Sequence, residues 1–244
     1  MTIPIISLVA PCLNEEENVV VLTQRFFREA QLRGHQTEIV FVDDGSTDYT
    51  WQKLEELNNE FGDAICLVKH ASNLGIPQGW LSGIAAAKGQ YVCLIDSDLQ
   101  NPPESVFDLY EALHLNGTQL ARGIRIPVAS QSMSRVLMSR FLNGLLNLIF
   151  GMKSRDNKSG FILGYRDLVS KIVHHQGHYK HFQTFIGVAA KAHKFSVIEI
   201  ETPFEDRRAG ISFLSGKSFR VIRQVLADIP EAKREFGMRT KGKI

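Results

Sequence analysis

Short apolar runs, broken only by Ser7, punctuate the first part of the chain at Ile5–Ala10, Ile39–Val42, Ile65–Val68 and Tyr91–Ile95. Continuous apolarity, as opposed to alternation, is the pattern of strands buried on both faces. Between these runs, Glu15–Arg33, Tyr49–Phe61 and Pro77–Lys88 carry apolar residues at helical spacing. Repeated strand–helix units predict an α/β domain with a mostly parallel central sheet and helices on both faces.

The pattern loosens further on. Gln119–Ile124 and Gly160–Tyr165 predict strands, and Ser132–Phe150 predicts a helix. Phe195, Val197, Ile198 and Ile200 give Phe195–Glu201 the partial alternation of an edge strand. Ser218–Ile229 predicts an amphipathic helix ending near Pro230, because proline removes a helical hydrogen bond. No linker, repeat or low-complexity tract interrupts the chain. The expectation is one domain, residues 1–215, with a basic amphipathic helix and tail at 216–244 belonging to it.

Composition changes this picture little: 44% hydrophobic and 22% charged among 244 residues are globular values. A net charge of +2 gives no field that would attract nucleic acid. That charge is unevenly placed, since Arg207–Ile244 holds ten Lys/Arg against three Asp/Glu. A basic end on an acidic body suits contact with an anionic surface, and equally a solvated terminal helix. Cys12, Cys66 and Cys93 are widely spaced in apolar runs and read as reduced core residues of a cytoplasmic protein. The start lacks the basic leader of a signal peptide. The greasiest stretch, Phe141–Phe150, is broken by Asn143, Gly144 and Asn147 and falls short of the roughly 20 residues of a spanning helix.

A doubly wound sheet offers its ligand site at the carboxyl ends of its strands. Those ends read Pro11-Cys12-Leu13-Asn14-Glu15-Glu16, Asp43-Asp44-Gly45-Ser46-Thr47-Asp48 and Asp96-Ser97-Asp98-Leu99-Gln100. Each carries carboxylates, and the usual phosphate-cradling glycine loops are absent. Phosphate charge would then be met by a metal ion. Asp96 and Asp98, leaving a strand one residue apart, can present oxygens to one hard divalent cation. They can equally form a turn before a helix with Pro at its first position and Glu104 near its positive end. The second cluster also has two readings: Ser46 or Thr47 as helix cap, or an acid that accepts hydrogen bonds from a base or ribose.

These segments together carry a resemblance. PCLNEEENV, VDDGSTD, NLG, GxxxG, AKGQYVCLIDSDLQNPPE, D-x-x-SGF and R-x-x-G-x-S, spread from Ile5 to Ser212, resemble family 2 glycosyltransferases of the GT-A fold. They are closest in style to the dolichyl- or polyprenyl-phosphate sugar synthases. The resemblance implies a UDP- or GDP-linked sugar donor, Mg²⁺ or Mn²⁺, and inversion at the anomeric carbon. It implies that Pro11, Leu13 and Glu15 line the nucleotide pocket, with Asp43 or Asp44 at base or ribose and Ser97 nearby. Asp96 would lie by ribose and sugar, and Asp98 and Gln100 would ligate the metal. Arg122 or Arg125, in ARGIR, resembles an arginine near the active site, and Arg207 resembles one that meets donor or acceptor phosphate. Asp156 falls on the acceptor side as candidate base.

The implied acceptor is a polyprenyl phosphate at the cytoplasmic face of the membrane. A saccharide hydroxyl is the alternative, and a non-catalytic nucleotide-sugar-binding module the more distant one. Ser212 is followed by Phe213-Leu214-Ser215 where the branch usually has Lys, and Q-x-x-R-W is absent, which speaks for single transfers. Met133–Phe150, apolar with Arg135 and Arg140 interspersed, reads as a core helix or as one lying on the membrane. His174, His175, His178 and His181 have no matched acidic partners and read as structural or solvent-facing.

Overall fold

Leu8 and Ala10 of strand β1 (Ile6–Cys12) enter one apolar core while Val9 between them enters another, so the sheet is greasy on both faces. The computed structural model describes residues 4–126, 133–206 and 218–237. After β1 come α1 (Val19–Leu32), β2 (Thr37–Asp43), α2 (Thr50–Phe61), β3 (Ile65–Lys69), α3 (Ile76–Ala86), β4 (Tyr91–Leu94) and α4 (Ser105–Leu115). Next along the chain are β5 (Leu120–Arg125), α5 (Met133–Phe150), β6 (Ile162–Tyr165), α6 (Arg166–Val173), α7 (Ile186–Ala192), β7 (Val197–Thr202) and α8 (Ser218–Phe236).

The strands form one sheet in the order β3-β2-β1-β4-β6-β5-β7. All neighbours are parallel except β6, which runs against both β4 and β5. Helices α1, α2 and α4 cover one face; α3 and α5–α8 cover the other. Helix α3 presses onto β1 because Gly79 and Gly83 carry no side chain there: a Cβ on Gly79 would lie 2.9 Å from Pro11 Cβ, and one on Gly83 would collide with Val9.

This topology places the site. The carboxyl ends of β1, β2 and β4 open on one rim, at the point where the sheet grows in both directions from β1. Strand β6 is reversed and pairs Ile162 with Leu94 and Arg122, so the chain enters it from that same rim. The segment before β6, with Asp156, is thereby delivered beside the loop after β4.

The parallel half matches the sequence expectation closely; elsewhere there are differences. Helix α1 begins at Val19, not Glu15, because the Glu15 carboxylate and backbone are engaged by Asn18 and by Thr50 at the start of α2. Helices α6 and α7 are short, and nothing in their periodicity announced them. Helix α8 continues through Pro230 to Phe236. Burial of Val225, Ile229, Ala232 and Phe236 along one stripe offsets the roughly 3 kcal/mol that an internal proline costs. Asp228 and Glu235, which accept backbone N–H groups of Lys180, Gln176 and Gly177, pin the same helix. Among the described residues no helix is long and apolar enough to cross a membrane.

Candidate active site

The rim is held together by hydrogen bonds between consecutive strand ends. Asp44 N donates to Cys12 O at 2.9 Å, and Ser97 Oγ donates to Pro11 O at 2.8 Å. Asn14, at φ 57°, takes Thr47 N on its side-chain oxygen at 2.8 Å, and Asn14 N donates to Ser46 Oγ. Ser46 and Thr47 thus stitch two loops together, and neither caps α2, whose first residue is Thr50.

The successive acids at the end of β2 have different fates. Asp43 is fully buried; its Oδ1 accepts Ser46 N at 3.1 Å, and its Oδ2 has no hydrogen-bond partner among the described residues. A buried carboxylate oxygen without a donor is costly unless a ligand supplies one. Asp44 is also buried, but its oxygens accept Leu74 N at 2.9 Å, Gly75 N at 2.8 Å and His70 Nδ1 at 2.7 Å. His70 Nε2 lies 2.9 Å from Ser82 Oγ. Asp44 therefore fastens the loop ahead of α3. Of the pair expected to meet base or ribose, Asp44 is fully engaged within the fold, whereas Asp43 keeps one oxygen without a partner among the described residues. Gly45, at φ 80°, lets this turn pass within 2.8 Å of the Ser72 backbone, measured from where a Cβ would stand.

Beyond β4, Asp96 is exposed while Ser97 and Asp98 are buried. The chain reverses at Leu99, a buried residue at φ 62°, and Gln100 N donates to Asp98 Oδ1 at 3.1 Å. Among the described residues no three His, Cys, Asp or Glu side chains converge as a ready-made metal cage. Two carboxylates and an amide at a strand end instead fit a cation that completes its shell with diphosphate oxygens and water.

Arg122 and Arg125 prove to be different in kind. Arg122 is 1% exposed; its guanidinium donates to the carbonyls of Asp156 at 3.0 Å and Ser159 at 3.2 Å, and to Ser154 and Glu199. Burial pulls its pKa down while Glu199 and Asp156 counter. Both terminal nitrogens are engaged within the protein, bracing the segment before β6 and meeting Glu199 of β7.

Arg125, in contrast, lines a cavity of about 470 Å³ together with Arg140, Arg155, Lys158 and Asp156. It forks onto Asp156 (Nε–Oδ2 2.7 Å, Nη2–Oδ1 3.0 Å) and lies over the Phe204 ring at 5.3 Å. Burial lowers the Arg125 pKa, but Asp156, and beyond it Asp96 and Asp98, more than restore it. Phe204 of the cavity wall precedes Glu205, whose N–H donates to Gln100 O at 2.8 Å, so the cavity adjoins the carboxylate turn. Burial alone would raise Asp156; the Arg125 fork, aided by Lys158, holds it at about 2. Both oxygens of the expected base are engaged, Oδ1 also accepting Lys158 N at 3.1 Å. Lys158 Nζ donates to Ser139, and burial followed by Arg125 pushes its pKa down.

Pro11 and Leu13 are half-buried at the rim, and Glu15 is turned toward Asn18. Arg207, with the R-x-x-G-x-S motif, lies outside the described residues. Lys158 and Arg155, in and beside D-x-x-SGF, were not among the expected site residues, since loop cations have no periodicity to mark them; Arg140, on α5, was noted only as a charge on a core or membrane-lying helix.

Comparison with known proteins gives a consistent picture. The family described as glycosyl transferase family 2 matches residues 7–179. The undecaprenyl-phosphate 4-deoxy-4-formamido-L-arabinose transferase of Edwardsiella ictaluri is 33% identical over 211 residues, covering 86% of this chain and 63% of that protein. The dolichol-phosphate mannosyltransferase of Pyrococcus furiosus is 29% identical over 228 residues, covering 90% and 62%. The chain thus spans a little under two thirds of these relatives' length. Among solved structures, glucosyl-3-phosphoglycerate synthase from Mycobacterium tuberculosis, in complex with Mn²⁺, UDP-glucose and phosphoglyceric acid, superposes with a TM-score of 0.67 at 19% identity. That match covers 94% of this chain and 79% of the other, and it shows a shared fold.

Proposed function

The chain belongs to glycosyl transferase family 2, with the GT-A fold, and from that premise we propose that it moves a sugar from a nucleoside-diphosphate donor onto the phosphate of a polyprenyl phosphate, with inversion and with a divalent cation. The observation that carries the choice of acceptor is the Arg125–Asp156 fork in a cavity that also holds Arg140, Arg155 and Lys158. A hydroxyl acceptor requires a base within reach. The carboxyl expected as base, Asp156, is held at about 2 and has both oxygens engaged. A phosphate monoester, with a second pKa of about 6, is already a nucleophile at neutral pH and is attracted by cations.

The remaining roles are argued from position. Asp43 Oδ2 would accept an N–H of the base, satisfying its missing donor. Asp98 and Gln100 would hold Mg²⁺ or Mn²⁺, with Asp96 near the ribose and sugar. When bound, such an ion offsets the negative charge that develops on the departing diphosphate. Arg125, kept charged and oriented by Asp156, would place the acceptor phosphate for attack on the face opposite the leaving group. Arg207 is proposed to meet donor or acceptor phosphate.

A lipid acceptor fits the outer face of α5. Leu142, Leu146 and Phe150 are buried, whereas Leu137, Phe141 and Leu148 are 70%, 67% and 81% exposed on the opposite side, beside the exposed Arg140. An apolar stripe with a cation suits peripheral contact with an anionic membrane. Binding of UDP- and GDP-sugars with Mn²⁺, followed by transfer to a short polyprenyl phosphate, tests the reading. Transfer to a saccharide hydroxyl but not to phosphate overturns the acceptor. Donor binding without turnover or metal-dependent hydrolysis overturns the enzyme.

A further inference from the structure

Arg25 stands on α1, outside the cavity described above, and still makes four hydrogen bonds to two carboxylates distant in sequence. Its Nε and Nη2 reach Glu104 Oε1 and Oε2, both at 2.8 Å; its Nη1 and Nη2 reach Glu205 Oε2 and Oε1 at 3.0 and 2.9 Å. The side chain is 22% exposed, so these are partly sheltered contacts made with the full planar fork. Glu104 immediately precedes α4, at the far end of the turn that begins with Asp96. Glu205 belongs to the segment after β7, and its own N–H donates to Gln100 O at 2.8 Å.

A closed ring results. Gln100 is linked through its carbonyl to Glu205, through Arg25 to Glu104, and through the chain back to itself. Next to that ring lies Leu99, whose left-handed backbone is strained for a branched side chain and persists only where surroundings enforce it. Ser97, bonded to Pro11 O, anchors the near side of the turn; Arg25 anchors the far side. Arg25 also neutralises carboxylates that would otherwise repel each other, and Arg28, 3.9 Å from Glu104, adds a second cation.

We propose that Arg25 is a positioning residue: by clamping Glu104 to Glu205 it sets the geometry in which Asp98 and Gln100 meet a divalent cation, without touching substrate. The proposal rests on the metal-dependent reading of this turn. Sequence gives no hint of it, since Arg25 is separated from its two partners by 79 and 180 residues.

The test measures Mn²⁺ binding to the protein–UDP complex by electron paramagnetic resonance, alongside donor KM, kcat and melting temperature. Arg25→Gln is expected to weaken Mn²⁺ about tenfold, as loss of outer-shell partners of a metal site generally does. Metal-free UDP binding stays unchanged, and Arg25→Lys, a point charge without the fork, restores only part of the loss. Glu205→Gln, which keeps the main-chain bond to Gln100, reports the same coupling if Arg25→Gln does not fold. Wild-type Mn²⁺ affinity in both variants overturns the positioning role while leaving the site intact. A wild-type protein that binds no Mn²⁺ with UDP overturns the metal-dependent reading itself, and the role with it.

Discussion

Asp156 holds Arg125 by both carboxylate oxygens, and the Arg125 pKa is raised not only by Asp156 but by Asp96 and Asp98 beyond it. The pair converts a carboxyl that the sequence marks as a potential base into the orienting partner of a cation. Asp156→Asn should therefore lower kcat/KM toward a phosphate acceptor about tenfold through misplacement of Arg125. It leaves the shape of the pH–rate profile unchanged. A lost acidic limb in that profile would show that Asp156 works as a base after all.

The same pair sets a stability–pH dependence. The Asp156 carboxyl falls from its ordinary 3.8 to about 2 on folding. Its contribution, about 2 kcal/mol, is complete above pH 4 and is lost as pH falls toward 2. Denaturant unfolding at pH 6 and pH 2.5 should show a steeper loss for the wild type than for Asp156→Asn. Parallel losses in the two proteins would contradict the linkage.

Asp43 and Asp44, adjacent in the chain, should fail differently. Asp43→Asn replaces one carboxylate oxygen with an amide that cannot accept, and Oδ2 has no partner among the described residues, so nucleotide affinity drops while thermal stability barely changes. Asp44→Asn disturbs a buried carboxylate with three donors and should cost about 2–3 kcal/mol of stability, with nucleotide binding weakened only secondarily. Calorimetric titration with UDP and GDP beside thermal melts separates the two.

Asp98→Ala should abolish metal-dependent nucleotide binding and lower turnover by on the order of 10³-fold, the scale expected when several kcal/mol of charge stabilisation are removed. Unchanged calorimetric binding of nucleotide with Mn²⁺ would place the ion elsewhere.

Leu137 and Phe141 are already in water, so Leu137→Glu with Phe141→Glu should leave the melting temperature within a degree or two while reducing co-sedimentation with anionic vesicles several-fold. Equal sedimentation of variant and parent would remove α5 from the membrane contact.

How far the sequence could be read depends on what each feature is made of. Strands β1, β2 and β4 were legible because burial on both faces leaves a nearly unbroken apolar run, with acidic residues where each run stops; β3 shows the same kind of run although it is a half-buried edge strand. Helices α6 and α7 were not, because eight and seven residues hold too few turns to establish a period. The division of labour between Asp43 and Asp44 depends on a loop arriving from residues 70–75. The bracing role of Arg122 depends on a segment some thirty residues on, from Ser154 to Ser159. The side of α5 that is buried could not be chosen from its pattern, since leucines and phenylalanines occur on both faces.

Reversal of β6 has one more consequence. The strand ends that carry Asp43 and Asp98 come from the first hundred residues, whereas the cationic cavity is built mainly by residues from Ile124 onward. The two halves of the rim meet in space but are encoded consecutively. A chimera that exchanges everything after Leu115 for the matching stretch of a relative should therefore retain its taste for one nucleotide while adopting a different recipient for the sugar.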